Sequence, residues 1–206
     1  MQKSRISHKY LCVLLLGTAY LCTGWADTWD GIRNAAGKVT TVSAEFTQEK
    51  HMKILFRPLV SKGVFHFRSP NSLRWEYRAP VKSIMLMHRG KTIRYIEKNG
   101  TITEEDGANM PFMQMMLQEI TRWIEGRFDE NRAFHARLAH GRLIVLSPKE
   151  KNTARMIQQI EIRLSDRPGA IKSVTIYEGE NSFTRLEFKK VILNPPLKRA
   201  LFNKIP

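Results

Sequence analysis

A period of two constrains this chain more than anything else in it. In SLRWEYR, residues 72–78, Leu73, Trp75 and Tyr77 face one way while Ser72, Arg74, Glu76 and Arg78 face the other. Such alternation marks an antiparallel strand with one face on a core. The same period runs through VSAEFTQ as Val42, Ala44 and Phe46, and is read onward through Met52, Ile54 and Phe56. It returns in GVFHFR, with Phe65 and Phe67 opposite Val64, His66 and Arg68. SPN at 69–71 reads as the turn between two strands. SIMLMH at 83–88 is apolar on both faces, which predicts cover on both sides, and TIRYIE at 92–97 follows an Arg-Gly-Lys turn. Further on, AFHARLAHGRLIVLSP predicts a hairpin turning at His140-Gly141. Three more strands follow, separated by turn-forming runs at 165–169 and 178–181.

The period breaks twice. DTWDGIRNAAGK, 27–38, predicts a short helix capped by Asp27 or Thr28 and ended by Gly37. PFMQMMLQEITRWIEG, 111–126, predicts a longer one, with Pro111 in its first turn and Gly126 just past its end. Phe112, Met113, Met116, Leu117, Ile120 and Ile124 share one face, widened by Met115 and Trp123; Glu119 and Thr121 belong to the polar complement. NMPFMQMMLQ holds four of the nine methionines, and methionine suits surfaces that adapt to more than one partner. Many antiparallel strands with two helices predict a mainly β (α+β) fold: a strongly curved sheet, closed or nearly so, with the helices inside the curve.

Residues 1–26 are expected to be a signal peptide. A basic start (Lys3, Arg5, Lys9) precedes the short apolar run YLCVLLLGTAYLC and a small-residue cleavage site ending at Ala26. Leu11 and Leu21 stand before the two cysteines, where an anchored lipoprotein carries a small residue. The mature chain, 27–206, then reads as a single exported domain without a thiol, which excludes cysteine nucleophiles and zinc–thiolate sites. The chain's net charge is +15; the leader holds three of its 34 basic residues and none of its 19 acidic ones, so the mature part keeps +12. That balance favours anionic partners. An exported chain without a helix-turn-helix, finger or RNP motif points away from nucleic acid. The histidines are scattered without metal spacing, the serines lie in no nucleophile elbow, and the acidic triplet 104–106 reads as a solvated turn. Binding is therefore favoured over catalysis, with no catalytic residues, metal or cofactor expected.

VSAEFTQEK at 42–50, SKGVFHFRSPNSLRWEY at 61–77, Asn109 to Met113 and LNPP at 193–196 together resemble the LolA family, over nearly the whole mature chain. The resemblance implies an incomplete antiparallel β-barrel with helices as a lid over an apolar cavity, and no cofactor. It implies a monomeric periplasmic carrier that takes acylated lipoproteins from an inner-membrane ABC-type complex to an outer-membrane receptor. With the alternation, it suggests Phe46, Phe65, Phe67, Leu73, Trp75, Tyr77 and Leu86 as cavity lining. Phe112, Met113, Met116, Leu117 and Ile120 become the lid face. The family often carries a lid-holding arginine just before the turn's proline. Here Ser69 holds that place, and Arg68 becomes the latch only if a bulge turns it inward. A carrier or sensor of another lipid or glycolipid on the same fold is the alternative; an exported hydrolase or structural partner is the contrasting class.

Overall fold

Eleven antiparallel strands form one open sheet in a computed structural model that describes residues 26–106, 111–131 and 133–203. The expected leader, up to residue 25, and Met110 lie outside the described residues, as do the side chains of Phe112 and Met113. Ala26, assigned to the leader by its sequence, is itself buried with the core. No helix among the described residues is long and apolar enough to cross a membrane.

Helix α1 (Trp29–Ala36) leads, with Thr28 as its N-cap: the Oγ1 accepts from the Gly31 amide at 3.0 Å. Six strands follow as a meander: β1 (Thr41–His51), β2 (Leu59–Arg68), β3 (Ser72–Ala79), β4 (Ser83–His88), β5 (Lys91–Lys98) and β6 (Thr101–Asp106). Helix α2 (Pro111–Ile124) crosses to β7 (Phe134–Ala139), β8 (Leu143–Pro148), the short α3 (Lys151–Ala154), β9 (Gln159–Leu164), β10 (Ile171–Gly179) and β11 (Ser182–Leu193). The spatial order is β6-β5-β4-β3-β2-β1-β11-β10-β9-β8-β7. The first and last strands therefore meet at the middle, and β6 and β7 are free edges. The sheet is open and curved. Inward side chains from β1–β4 and from β7–β11 join one core cluster with both long helices.

Two predicted features differ. Residues 52–58 do not extend the alternation; they form a turn that leaves Ile54 and Phe56 exposed, because Pro58 and a Leu55–Met52 backbone bond of 2.9 Å reverse the chain there. The acidic triplet is not a turn either: Glu104, Glu105 and Asp106 lie in edge strand β6, with Arg94 of β5 facing Glu105 at 3.5 Å.

The seam between β1 and β11 is tied by Asn194. Its Oδ1 accepts from the Thr40 amide at 2.7 Å, its Nδ2 donates to the Lys38 carbonyl at 2.9 Å, and its amide donates to the Thr41 carbonyl at 2.8 Å. Asparagine suits its left-handed backbone (φ 59°).

Candidate functional site

Alternation along β1–β3 gathers aromatic rings on the inner face. Phe46 lies over Gly63, where any added Cβ would meet the ring at 2.6 Å; the absent side chain makes room for it. Trp75 contacts Phe46 (centroids 4.7 Å), Phe65 (5.3 Å) and Phe188 (6.3 Å). Tyr77 meets Phe46 edge-on at 5.2 Å and donates its hydroxyl to Gln48 Oε1 at 2.8 Å. Burial pushes the Tyr77 phenol up to about 12, so it stays neutral at ordinary pH.

Against this wall lies α2. Met116, Leu117 and Trp123 are buried, and Met115 and Ile120 pack partly buried on the same cluster. The helix ends in a Schellman motif. Arg127 N–H donates to the Arg122 carbonyl (2.9 Å) and Gly126 N–H to that of Trp123 (3.1 Å), with Gly126 at φ +74°. A Cβ at Gly126 would stand 2.8 Å from that of Ala36, so glycine also lets α2 end directly on α1. Arg33 of α1 reaches on to Asp129 at 2.6 Å.

Glu119 and Thr121 depart from their expected outer position. Thr121 is buried with its hydroxyl on the Leu117 carbonyl at 3.0 Å. Glu119 is buried too, bonded to Asn131 Nδ2 and 3.6 Å from Arg122. Burial raises its carboxyl above the usual range, against the opposing pull of Asn131 and Arg122. Asn131 Oδ1 in turn accepts from the amides of Ala133 (2.8 Å) and Phe134 (2.9 Å). This buried polar group ties the middle of α2 to the start of β7.

Between wall and helix lies an apolar cavity of about 60 Å³. Phe65 and Trp75 border it from the first half of the sheet, and Met116 and Ile120 from α2. Phe46, Phe67, Leu73 and Tyr77 pack in the same cluster behind that lining, and Leu117 is buried beside them. Leu86 is a correction. Trp75 pairs with Met85 and Leu73 with Met87, so Met85 and Met87 are the inward residues of β4. Leu86 pairs with Arg74 and packs on the outer face with Ile84 and Tyr95. An apolar run without alternation hides which set faces inward.

Arg68 is a second correction. Phe67–Leu73 and Arg68–Ser72 are consecutive pairs, and the one irregularity between β2 and β3 lies at Lys62/Gly63. No bulge turns Arg68 inward. It lies on the outer face over the Phe202 ring, 5.6 Å from its centroid, away from α2. The Pro-rich end of the chain forms a short 3-10 helix, Arg199–Phe202, whose Leu201 carbonyl accepts from Arg74 Nη1 at 3.2 Å.

The other half of the lining was missed. Val174 and Ile176 of β10 and Leu186 and Phe188 of β11 border the cavity, with Trp123 and Ile124 closing α2's side. Their own two-residue spacing was the available signal. The indole Nε1 atoms of Trp75 and Trp123 are buried without a hydrogen-bond partner among the described residues, and those residues hold no metal-binding group of His, Cys, Asp and Glu.

The family model for the outer membrane lipoprotein carrier protein LolA matches residues 37–204. An outer-membrane lipoprotein carrier protein of Histophilus somni (strain 129Pt) is 22% identical over 206 residues, covering 94% of this chain and 91% of its own. That of Pasteurella multocida (strain Pm70) is 22% identical over 200 residues, with 92% and 91% covered. Among solved structures, a DUF1329 family protein from Desulfovibrio piger has a TM-score of 0.52 at 11% identity, covering 86% of this chain and 95% of its own, a likeness of fold.

Proposed function

The chain belongs to the LolA family of outer membrane lipoprotein carrier proteins, and from that premise we propose that it shields lipoprotein acyl chains between α2 and the inner sheet face. The supporting observation is the apolar cavity with Trp75, Phe65 and Phe188 on one wall and Met116, Ile120 and Trp123 on the other. In this reading residues 1–26 are a cleaved leader and 27–206 the periplasmic carrier domain, monomeric and without catalysis or cofactor. Cargo passes from an inner-membrane ABC-type complex to an outer-membrane receptor.

The cavity's size dictates the mechanism. At the ~10–15 Å³ that one water needs, about 60 Å³ is room for a few waters and far too little for a lipoprotein's acyl chains, so in this reading α2 yields to admit cargo. Each buried CH₂ contributes about 0.8 kcal/mol, and the helix contacts that are lost offset part of that sum. Affinity is then a difference, moderate enough for release. Methionine at 115 and 116 packs against wall or acyl chain with little change in energy. The Gly126–Ala36 contact and the Glu119–Asn131 bond hold the C-terminal half of α2, which makes its N-terminal half the part that swings. An ester carbonyl on the cargo would accept from one of the unpartnered indole donors.

Native purification followed by mass spectrometry of bound material tests the proposal. Co-purified acylated lipoprotein supports it, and a free lipid or glycolipid alone replaces the cargo. The proposal fails if nothing apolar is bound and a fluorescent acyl probe is not displaced by a lipopeptide.

A further inference from the structure

The exposed apolar side chains are not scattered. Ile54, Leu55, Phe56, Leu59 and Val60 cluster at the β1–β2 hairpin, with Phe56 fully exposed and Ile54 79% exposed. Val81, Ile102 and Met156 are also exposed, in the β3–β4 turn, at the start of β6 and in the link from α3 to β9. Register places all of these at one rim. Lys50 pairs with Leu59, Lys62 with Ala79, Ser83 with Ile96, Lys98 with Thr101 and Gln159 with Tyr177. Only Ile192, near the end of β11, falls outside this group among the described residues. The cavity lining includes Val42, Gly169 and Leu193, which lie toward the opposite rim, so the exposed cluster is not its mouth.

The tip is braced. The Lys53 amide donates to Ser182 Oγ at 3.3 Å, and its Nζ to Glu180 at 3.2 Å, across the neighbouring β10–β11 turn. Most carboxylates at the rim are paired, while Glu150 at the start of α3 has no basic partner among the described residues. Glu178, Glu180 and Glu97 are met by Lys50, Lys53 and Lys82 at 3.3, 3.2 and 3.2 Å. Glu49 faces His51 at 3.6 Å. Arg57 within the tip, and Lys151 and Arg155 in the α3 region, have no acidic partner among the described residues. Apolar groups in the open, flanked by unpaired cations, have the composition of an interfacial membrane anchor.

We infer that this rim, led by Ile54 and Phe56, is a membrane-docking edge that sets its apolar tip among anionic phospholipids. Phe56 and Ile54 enter the headgroup–acyl boundary, and Arg57 lies at the phosphates. One hairpin gives shallow, reversible contact, suited to a protein that visits a surface rather than stays on it. The inference stands apart from the acyl cavity and holds or fails without it.

The test is flotation of the purified protein with phosphatidylcholine vesicles and with phosphatidylcholine–phosphatidylglycerol vesicles. The expected result is binding to the anionic vesicles that weakens with salt. Ile54→Ser with Phe56→Ser should reduce it about tenfold or more, and Arg57→Gln should reduce the preference for phosphatidylglycerol. These side chains are exposed, so the thermal midpoint should not move, and binding of an acyl probe in the cavity should be unchanged. Trp75→Ala should affect the probe and spare vesicle binding, which keeps this inference separate from the carrier proposal. Absence of vesicle binding, or equal binding by the double-serine variant, overturns it. So does intact vesicle binding in that variant with loss of capture by a membrane-protein partner, which would assign the tip to protein docking.

Discussion

The two faces of β2, β3 and β4 are buried by different physics. On the inner face Phe65, Phe67, Leu73, Trp75, Met85 and Met87 pack with almost no polar atoms. On the outer face of the same strands Arg74 is buried and paired with Glu76 at 2.9 Å, beside His66, Leu86 and the chain's 3-10 helix. Alternation writes both faces at once. An apolar wall binds by area and is indifferent to what covers it, so a helix can be exchanged for a ligand. A buried ion pair under a specific carbonyl is different, because loss of either partner leaves the other charge buried and uncompensated. On the proposed carrier reading, cargo uncovers the first face and the second stays shut.

Several substitutions press on that contrast. Trp75→Ala should have the largest effect, about 3–5 kcal/mol in urea unfolding, together with weaker binding of an acyl probe. Arg74→Ala should come next at about 3 kcal/mol, because Glu76 stays half-buried with only Arg78; probe affinity in the fraction that folds should be unchanged. If Arg74→Ala alters probe affinity, the faces are not separable. Leu86→Ala should cost about 2 kcal/mol and leave the probe untouched, which checks its reassignment to the outer face.

Acid should distinguish the faces by sign. Burial lowers the His66 imidazole below 6.5, with the Arg74 charge adding to it. The unfolded chain therefore takes up a proton first, and stability falls as pH drops below 6.5. Burial pushes Glu76 upward, but the bonds from Arg74 and Arg78 outweigh it and leave its carboxyl below 4.5. A second loss follows as pH falls past that value. Glu119, beneath α2, has the opposite sign: its carboxyl is raised, so its contribution declines as pH rises above 4.5. Thermal midpoints against pH should lose the upper acid step in His66→Phe. The smallest effect is expected for Glu119→Gln, a modest gain at neutral pH with the Asn131 contact kept.

How much of this was legible depended on how each residue is constrained. Leu73, Trp75 and Tyr77 were assigned to one face because Arg74 and Glu76 between them, with Ser72 and Arg78 on either side, left no other choice. Gly126 ended α2 where its position predicted. Leu86 was misassigned because Ile84 to Met87 is apolar at every position and nothing within it sets the phase. The outward side of Arg68 follows from a regular register, which strand pairing decides and local composition does not. Glu119 looked like a surface residue until Asn131, twelve positions on, supplied a partner that no helical periodicity contains. Residues 52–58 continued an apolar alternation, but a hairpin needed to turn there.

The Asn194 clasp has a consequence in time. It joins Thr40 to a residue 154 positions later, across the strand pair at the centre of the sheet. Each half of the chain can grow outward from that line as a local meander, yet neither half has its central neighbour until β11 exists. Long sequence separation between contacting strands slows closure. On a ribosome, almost the entire chain must emerge before its middle can set. The protein therefore spends its first moments as meanders without a shared centre, and the last strand synthesised ends that period.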